Sequence, residues 1–329
     1  MMTPVMDVLR KNWFIIGVLG AIVLGYVFPE AGTFLNAGGI VRNLVVAVIF
    51  VMTGYTLVTE TILKGLADYR LHLYIQGCIF IVAPLYVIVT TRFFPNAFTE
   101  EILIGLFAVS VLPTTITTSN VFTQLAGGNV TGTMFNSAFS NAIGIFLSPF
   151  LLSLLLQTTG KAIPTEELVA ILVQLATLMF IPVTVGQIAR RVFRPPGPAA
   201  RKKISIFTSV LVLFIVFFSL ASAALQPGFE QHLHSMVPAV FFLIVMHIAL
   251  VALSAGGAKV LGFSRENTIS VLFAAPQKTL AMGAPLLTLY FASNPAILAG
   301  AILPLIFYHM FQLVVGAFLH GRLSRMAAT

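Results

Sequence analysis

Long apolar runs separated by short polar segments make up most of the chain, and their lengths predict ten membrane-spanning helices. A helix needs about 20 mostly apolar residues to cross a bilayer. Such runs lie at residues 13–28, 41–58, 71–91, 101–126, 131–157, 167–188, 204–225, 236–261, 268–291 and 294–318. They lack the alternation of apolar and polar residues typical of barrel strands, so we expect an all-α integral membrane protein.

The fourth and ninth runs are each interrupted by a proline with polar neighbours. Pro113 lies within Ser110–Asn120, where seven of eleven side chains carry a hydroxyl or amide group. Pro276 is followed by the polar segment Gln277–Thr279. Unwound polar backbone survives in a bilayer only where protein or a water-filled cavity satisfies it. Both runs are therefore predicted to be broken helices.

The order of the spans predicts two halves, residues 1–160 and 161–329, with five spans each. An odd number of spans gives the halves opposite orientations, as an inverted repeat requires. The broken span is the fourth of its half in both cases. We therefore expect two inverted five-helix repeats whose broken helices 4 and 9 cross near the midplane, where a transport site is expected.

The distribution of charged residues indicates a membrane as the partner of this basic chain. The chain is 58% hydrophobic, 9% charged and has a mean hydropathy of +1.01, with a net charge of +8. Fourteen of the 18 Lys and Arg residues fall in segments predicted to lie inside, including the basic run Arg190–Lys203. This asymmetry predicts an inner (plasma) membrane protein with both termini cytoplasmic and membrane lipid as a partner. Nucleic acid is not expected.

Lys278 is the one charged residue in the middle of a predicted span. An ionisable group at this depth is costly and usually has a function. All ten Asp and Glu residues fall in predicted loops or at span ends. The sequence thus disfavours a transporter that carries protons or cations on a midplane carboxylate.

Polar residues of the fifth span provide a surface that could face the first break. Thr133, Ser137, Ser140 and Gly144 follow one helix face, although small residues also promote helix packing in membranes. In the tenth span, His309 could relay protons or simply hydrogen-bond a neighbouring helix. The candidate substrate-binding or crossover residues are Pro113, Thr114, Thr115, Thr117, Asn136, Pro276, Gln277, Lys278, Thr279 and His309. The candidate metal ligands are Ser119, Asn120, Thr133 and Ser137.

Signatures of enzymes do not occur in the sequence. There is no H-E-x-x-H, G-x-S-x-G or P-loop motif, and no span holds paired carboxylates. We expect neither catalysis nor a cofactor.

Several motifs resemble the broken fourth helix and the fifth helix of the bile acid:sodium symporter family. They are Ser119-Asn120-Val121, Gly128-Asn129-Val130, Thr133, Ser137 and Leu147-Ser148-Pro149. The resemblance implies a panel domain of spans 1, 2, 6 and 7 that rocks against a core domain of spans 3–5 and 8–10. It also implies secondary active transport of an organic anion by alternating access.

The family's sodium chemistry is only partly present. In sodium-coupled members, residues matching Ser119, Asn120, Thr133 and Ser137 bind sodium, together with a glutamate of the ninth helix. In this chain that stretch contains no acid and has Lys278 instead, and it resembles an atypical branch of the family. The resemblance therefore implies a vestigial or atypical sodium site, with sodium coupling atypical or absent.

Three roles for Lys278 stay open at this level. Its ammonium could replace sodium, with oxygens of Ser119, Asn120 and Thr133 as acceptors. It could bind an anionic substrate together with the half-helix N-termini. It could also be a permanently charged structural pin. A separate alternative for the whole protein is a non-transporting membrane regulator of ion or metabolite homeostasis.

Overall fold

The computed structural model describes residues 13–56, 68–94, 96–157, 165–193, 195–225, 229–292 and 294–325, and the regular structure within these ranges is helical. The helices are α1 (Trp13–Val27), α2 (Pro29–Leu35), α3 (Ile40–Thr56), α4 (Tyr69–Gly77), α5 (Ala83–Arg92), α6 (Glu100–Val111), α7 (Thr117–Leu125), α8 (Val130–Gln157), α9 (Thr165–Val192), α10 (Pro198–Ala224), α11 (Phe229–Val260), α12 (Arg265–Ala274), α13 (Leu280–Tyr290) and α14 (Pro295–Arg325). The predicted boundary between the halves, at residue 160, lies outside the described residues.

Within the described residues, six helical segments are long and apolar enough to cross a membrane. They are Ala37–Thr56, Tyr69–Arg92, Val130–Gln157, Ala199–Ala224, His234–Val260 and Pro295–Leu323. A bent pair, Ile16–Val27 with Pro29–Leu35 at 102°, meets the same criterion when taken as one span. On α8, Phe146, Phe150 and Leu154 repeat every fourth residue and are 50%, 47% and 41% exposed. Such an apolar exposed stripe suits a lipid-facing surface, and the chain is an integral membrane protein.

Both predicted interruptions are confirmed. Helix α6 ends at Val111 and α7 begins at Thr117, while α12 ends at Ala274 and α13 begins at Leu280. Leu112 is extended, with φ −71° and ψ 147°, because Pro113 disfavours the helical conformation of the residue before it.

A third interruption was not predicted. Between α4 and α5, Cys78–Val82 forms a π-helical turn immediately before Pro84. The run at residues 71–91 is thus continuous in direction but irregular in hydrogen bonding, which is common at functional positions.

The helices pack in two sets, one formed by α1, α3, α9 and α10 and the other by the helices around the two breaks. Helix α3 packs most extensively against α9, and α1 packs against α10. A Cβ on Gly54 would lie 2.1 Å from the carbonyl oxygen of Val183, and one on Gly186 would lie 2.1 Å from that of Val51. The two glycines therefore allow α3 and α9 to touch through their backbones. Helices α6, α8 and α11–α14 pack around the two breaks.

Candidate functional site

The two breaks lie against each other. The backbone N–H of Thr279 donates to the carbonyl oxygen of Pro113 at 2.9 Å. The Thr115 and Thr118 hydroxyls donate to Gln277 Oε1 at 2.5 and 3.0 Å. The structure thus brings together residues that are about half the chain apart, and it forms one polar centre from both breaks.

The Lys278 ammonium lies at this centre with no exposed surface. Its Nζ donates to the carbonyl oxygens of Ile79, Ser110 and Leu112 at 2.9, 2.8 and 2.9 Å. An ammonium has three N–H donors, so the three acceptors match it in number, whereas a neutral amine would turn its lone pair toward one oxygen.

The acceptors that the first of the three open roles gives to Lys278 are therefore wrong. The ammonium hydrogen-bonds to backbone carbonyls rather than to oxygens of Ser119, Asn120 or Thr133. Side-chain types in the sequence indicate hydroxyl and amide acceptors, but they do not show which backbone carbonyls a helix leaves unpaired.

The Ile79 carbonyl receives no hydrogen bond from its own helix, and Pro84 explains why. The N–H of Ala83, which would bond Ile79 in a regular α-helix, donates to Cys78 instead, five residues back. The next donor in this wider register is residue 84, and proline has no N–H. Lys278 supplies the donor that Pro84 lacks.

The Ser110 and Leu112 carbonyls are unpaired because of the break at Pro113. Their α-helical donors would be the N–H groups of Thr114 and Ile116, but residues 112–116 are not helical. A buried carbonyl without a donor costs about 1–3 kcal/mol. One lysine thus satisfies backbone that two different helices leave unpaired.

The backbone of Lys278 itself is paired by side chains of α14. Gln312 Oε1 accepts from the Lys278 N–H at 2.7 Å, and Gln312 Nε2 donates to the Lys278 carbonyl at 2.7 Å. His309 Nδ1 lies 2.9 Å from Gln312 Nε2. The same Nδ1 lies 3.2 Å from the Lys278 carbonyl oxygen, so His309 accepts from the Gln312 amide in one tautomer and donates to this carbonyl in the other.

A second chain of hydrogen bonds holds Pro276. The Tyr308 hydroxyl donates to the Pro276 carbonyl at 2.6 Å, and His247 Nδ1 lies 3.0 Å from the same hydroxyl oxygen. Since the hydroxyl has already used its hydrogen, His247 must donate from Nδ1. The geometry therefore assigns this buried imidazole its tautomer.

Helix α8 holds the first break in the corresponding way. Asn141 Nδ2 donates to the Thr114 carbonyl and Ser148 Oγ to the Val111 carbonyl, both at 2.8 Å. Gly144 lies against Pro113, since a Cβ on it would be 3.1 Å from Pro113 Cγ. Gly144 of the predicted stripe thus faces the break, together with Asn141 and Ser148 of the same helix.

The candidate metal ligands are only partly grouped. Asn120 Nδ2 donates to Ser137 Oγ at 3.3 Å, and the Ser119 hydroxyl donates to the Thr115 carbonyl. Thr133 Oγ1 lies 3.1 Å from Thr123 Oγ1 instead. Asn120 Oδ1 is buried and has no hydrogen-bond partner among the described residues.

Asn136 belongs to another cluster. Its Nδ2 lies 2.9 Å from His72 Nδ1, and its Oδ1 accepts from Gln76 Nε2 at 3.1 Å. These contacts join α8 to α4 rather than to either break. Sequence reasoning also missed Pro84 and Tyr308 and gave Gln312 no role, although a proline inside an apolar run and polar residues beside His309 and one turn after it are visible signals.

One side of the polar centre is open. Thr117 is exposed at the N-terminus of α7, whose N-cap residue Ile116 makes no side-chain hydrogen bond, while Thr115 Oγ1 accepts from the Ser119 N–H at 3.3 Å. Thr117 Oγ1 lies 3.4 Å from Ser205 Oγ on α10. Gln277 is 2% exposed, and its Nε2 makes no hydrogen bond to the residues that the structure describes. Uncapped N–H groups and a free amide donor could bind an anion here.

Comparison with known proteins finds relatives that match nearly the whole chain. The chain is 28% identical over 328 residues to sodium/bile acid cotransporter 7-B of Xenopus laevis, covering 94% of this chain and 91% of the relative. It is 27% identical to sodium/bile acid cotransporter 7 of Danio rerio, covering 94% and 93%, and of Mus musculus, covering 94% and 92%. The stretch at residues 277–281, which includes Lys278, resembles the branch named sodium/bile acid cotransporter 7, and these relatives confirm that resemblance.

The family assignment covers the whole described fold. The model of the SBF-like CPA transporter family matches residues 12–325. These residues contain both helix breaks, the three carbonyls around Lys278 and the open N-terminus of α7. The predicted absence of an enzymatic activity is confirmed. The chain belongs to the SBF-like CPA transporter family and is a bile acid:sodium symporter-like transporter, not an enzyme.

Proposed function

We propose that this protein is a secondary active transporter of a small organic anion that works by alternating access, with sodium coupling absent or atypical. The observation that carries the proposal is the Lys278 ammonium, bonded to three carbonyls where the two breaks meet. A fixed positive charge occupies the region in which a sodium-coupled relative would need a carboxylate.

The architecture we propose has ten spans in two inverted repeats, residues 1–160 and 161–329. Helix order supports it, since α6/α7 and α12/α13 are the broken pairs and each is followed by one long helix, α8 or α14. Packing supports it too. A two-fold pseudo-symmetry would exchange the α3–α9 contact with the α10–α1 contact, and both are extensive. On this basis α1, α3, α9 and α10 form the panel domain, and α4–α8 with α11–α14 form the core.

We place the anionic group of the substrate at the open N-terminus of α7. The backbone N–H groups of Thr117 and Thr118, the Thr117 hydroxyl and the Gln277 amide would donate to it, and Ser205 would contribute from the panel. Arg201 and Lys202 lie one turn before Ser205 and add positive charge. Lys278 is fully buried, so it would act on the substrate through the field rather than by contact.

The named relatives suggest the substrate class. Three of them are sodium/bile acid cotransporter 7 proteins, so a bile acid or another amphipathic carboxylate or sulfonate is the first class to test.

The coupling follows from electrostatics. Two unit positive charges 4 Å apart repel by about 4 kcal/mol at an effective dielectric constant of about 20. Because a sodium ion bound close to the Lys278 ammonium would be repelled to this degree, we propose that Ser119, Asn120, Thr133 and Ser137 are a vestigial or atypical sodium site. We propose no cofactor. The distribution of Lys and Arg supports an inner-membrane location with both termini cytoplasmic and contact with anionic lipid.

Uptake by the purified full chain in proteoliposomes tests the proposal. Labelled taurocholate is the first probe, followed by smaller monocarboxylates, each with an inward sodium, potassium or proton gradient. We expect uptake above that of protein-free vesicles, unchanged when potassium replaces sodium.

Two results would contradict the proposal. Strict sodium dependence would overturn the proposed coupling while leaving transport intact. Absence of uptake under every gradient, with no thermal stabilisation by any anion tested, would favour the membrane-regulator alternative.

A further inference from the structure

The three carbonyl oxygens around Lys278 Nζ form a cage with a definite size. The oxygens of Ile79, Ser110 and Leu112 lie 2.9, 2.8 and 2.9 Å from the nitrogen. These distances fall within the usual N–H···O range of about 2.7–3.2 Å. Backbone carbonyls are also the oxygens with which ion pathways replace the water around monovalent cations.

The cage does not depend on the side chains of its acceptors. Ile79 contributes through the π-helical turn and Pro84, and the other two carbonyls contribute through the break at Pro113. The oxygens are therefore positioned by backbone irregularities and would stay unpaired if Lys278 were shortened. Buried unpaired carbonyls favour any donor or cation that can reach them.

We propose that this cage is a monovalent-cation site of ammonium size, which the chain fills with its own Lys278 side chain. Sodium is smaller than ammonium and needs shorter contacts to oxygen, so three segments of packed backbone would have to move together to bind it. The inference deepens the proposed coupling, but its test does not require the protein to transport anything.

Lys278→Ala provides the main experiment. It removes four heavy atoms, Cγ to Nζ, which correspond to n-propylammonium. The Tm of the purified full chain would be measured in chlorides of n-propylammonium, ammonium, potassium and sodium at equal ionic strength. The same measurement in 1-propanol at equal concentration tests a neutral molecule of the same shape. We expect a lower Tm than in the wild type, and a saturable rise of at least about 2 °C with n-propylammonium but not with sodium or 1-propanol.

Other outcomes of this titration would overturn the proposal. An equal rise with sodium would show that the cage does not select ammonium size. An equal rise with 1-propanol would show that only an empty volume is being filled. No rise with any compound would show that the carbonyls do not form a cation site. The wild type serves as the control and should respond to none of them.

A second test combines Pro84→Ala with Lys278→Met, a variant that nearly keeps the volume of the lysine side chain. Pro84→Ala restores an N–H five residues after Ile79, and this donor would compete with Lys278 for the carbonyl. We expect Pro84→Ala to lower the Tm of the wild type but to leave unchanged or raise that of Lys278→Met, which has no ammonium to donate to the Ile79 carbonyl. Equal shifts in both backgrounds would overturn the proposal. Loss of uptake with this pattern intact would count against the transporter alone.

Discussion

Gln312 pairs with both backbone groups of Lys278: its Oε1 accepts from the N–H and its Nε2 donates to the carbonyl, each at 2.7 Å. The side-chain amide thus replaces the backbone partners that residue 278 lacks outside a helix. Gln312 is fully buried, so water cannot take over this role.

Gln312→Leu should therefore be strongly destabilising. It leaves the N–H and the carbonyl of Lys278 without their shortest partners, at about 1–3 kcal/mol for each buried group. We expect the free energy of unfolding in detergent to fall by about 2–4 kcal/mol. Gln124→Leu, on the exposed side of α7, is the matched control and should change it little. Equal stability of the two variants would contradict the pairing.

The chain from His247 through Tyr308 to Pro276 predicts non-additive effects. Tyr308→Phe removes the donor to the Pro276 carbonyl and the acceptor for His247, so we expect a loss of about 1–3 kcal/mol. His247→Leu should cost less in the Tyr308→Phe background than in the wild type, because its partner is already gone. A double-mutant cycle measures this difference, and strict additivity would rule out the assigned contact.

The glycine contact between α3 and α9 predicts a steric effect. Gly54→Ala and Gly186→Ala each place a Cβ 2.1 Å from a backbone oxygen, which flexible side chains cannot relieve. We expect each to lower the Tm by several degrees, since about 1 kcal/mol corresponds to about 2–4 °C in a chain of this order of size. Gly20→Ala on α1 meets nothing within 4 Å and should be neutral or stabilising. A neutral Gly186→Ala would contradict the close packing.

The open N-terminus of α7 predicts a selective effect on transport. Thr117 is exposed, and its hydroxyl lies 3.4 Å from that of Ser205 on α10, at the proposed anion site. Thr117→Val removes this hydroxyl, so it should raise the KM for the anion by about tenfold with an unchanged Tm, which corresponds to a loss of about 1.4 kcal/mol of binding free energy. Thr177→Val, an exposed threonine on α9, provides the control. A lowered Tm with an unchanged KM would indicate a structural role for Thr117.

The sequence by itself determined the helical membrane class, the positions of both breaks and the depth of Lys278. These follow from local physics: apolar runs long enough for a bilayer, prolines that interrupt backbone hydrogen bonding, and a charge in the middle of an apolar run. Most of the predicted crossover residues, including Thr115, Gln277 and Thr279, do lie together.

Only the tertiary structure decided what Lys278 binds. Its partners are carbonyl oxygens at Ile79, Ser110 and Leu112, distant in sequence and independent of side-chain identity. Asn136 was predicted to lie at the crossover but contacts His72. The sequence shows which face of a helix a residue lies on, but it does not show which helix packs against that face. Every residue has a carbonyl, so the sequence cannot mark those left without a donor; helix breaks and packing create them, and the lysine fills the place where they converge.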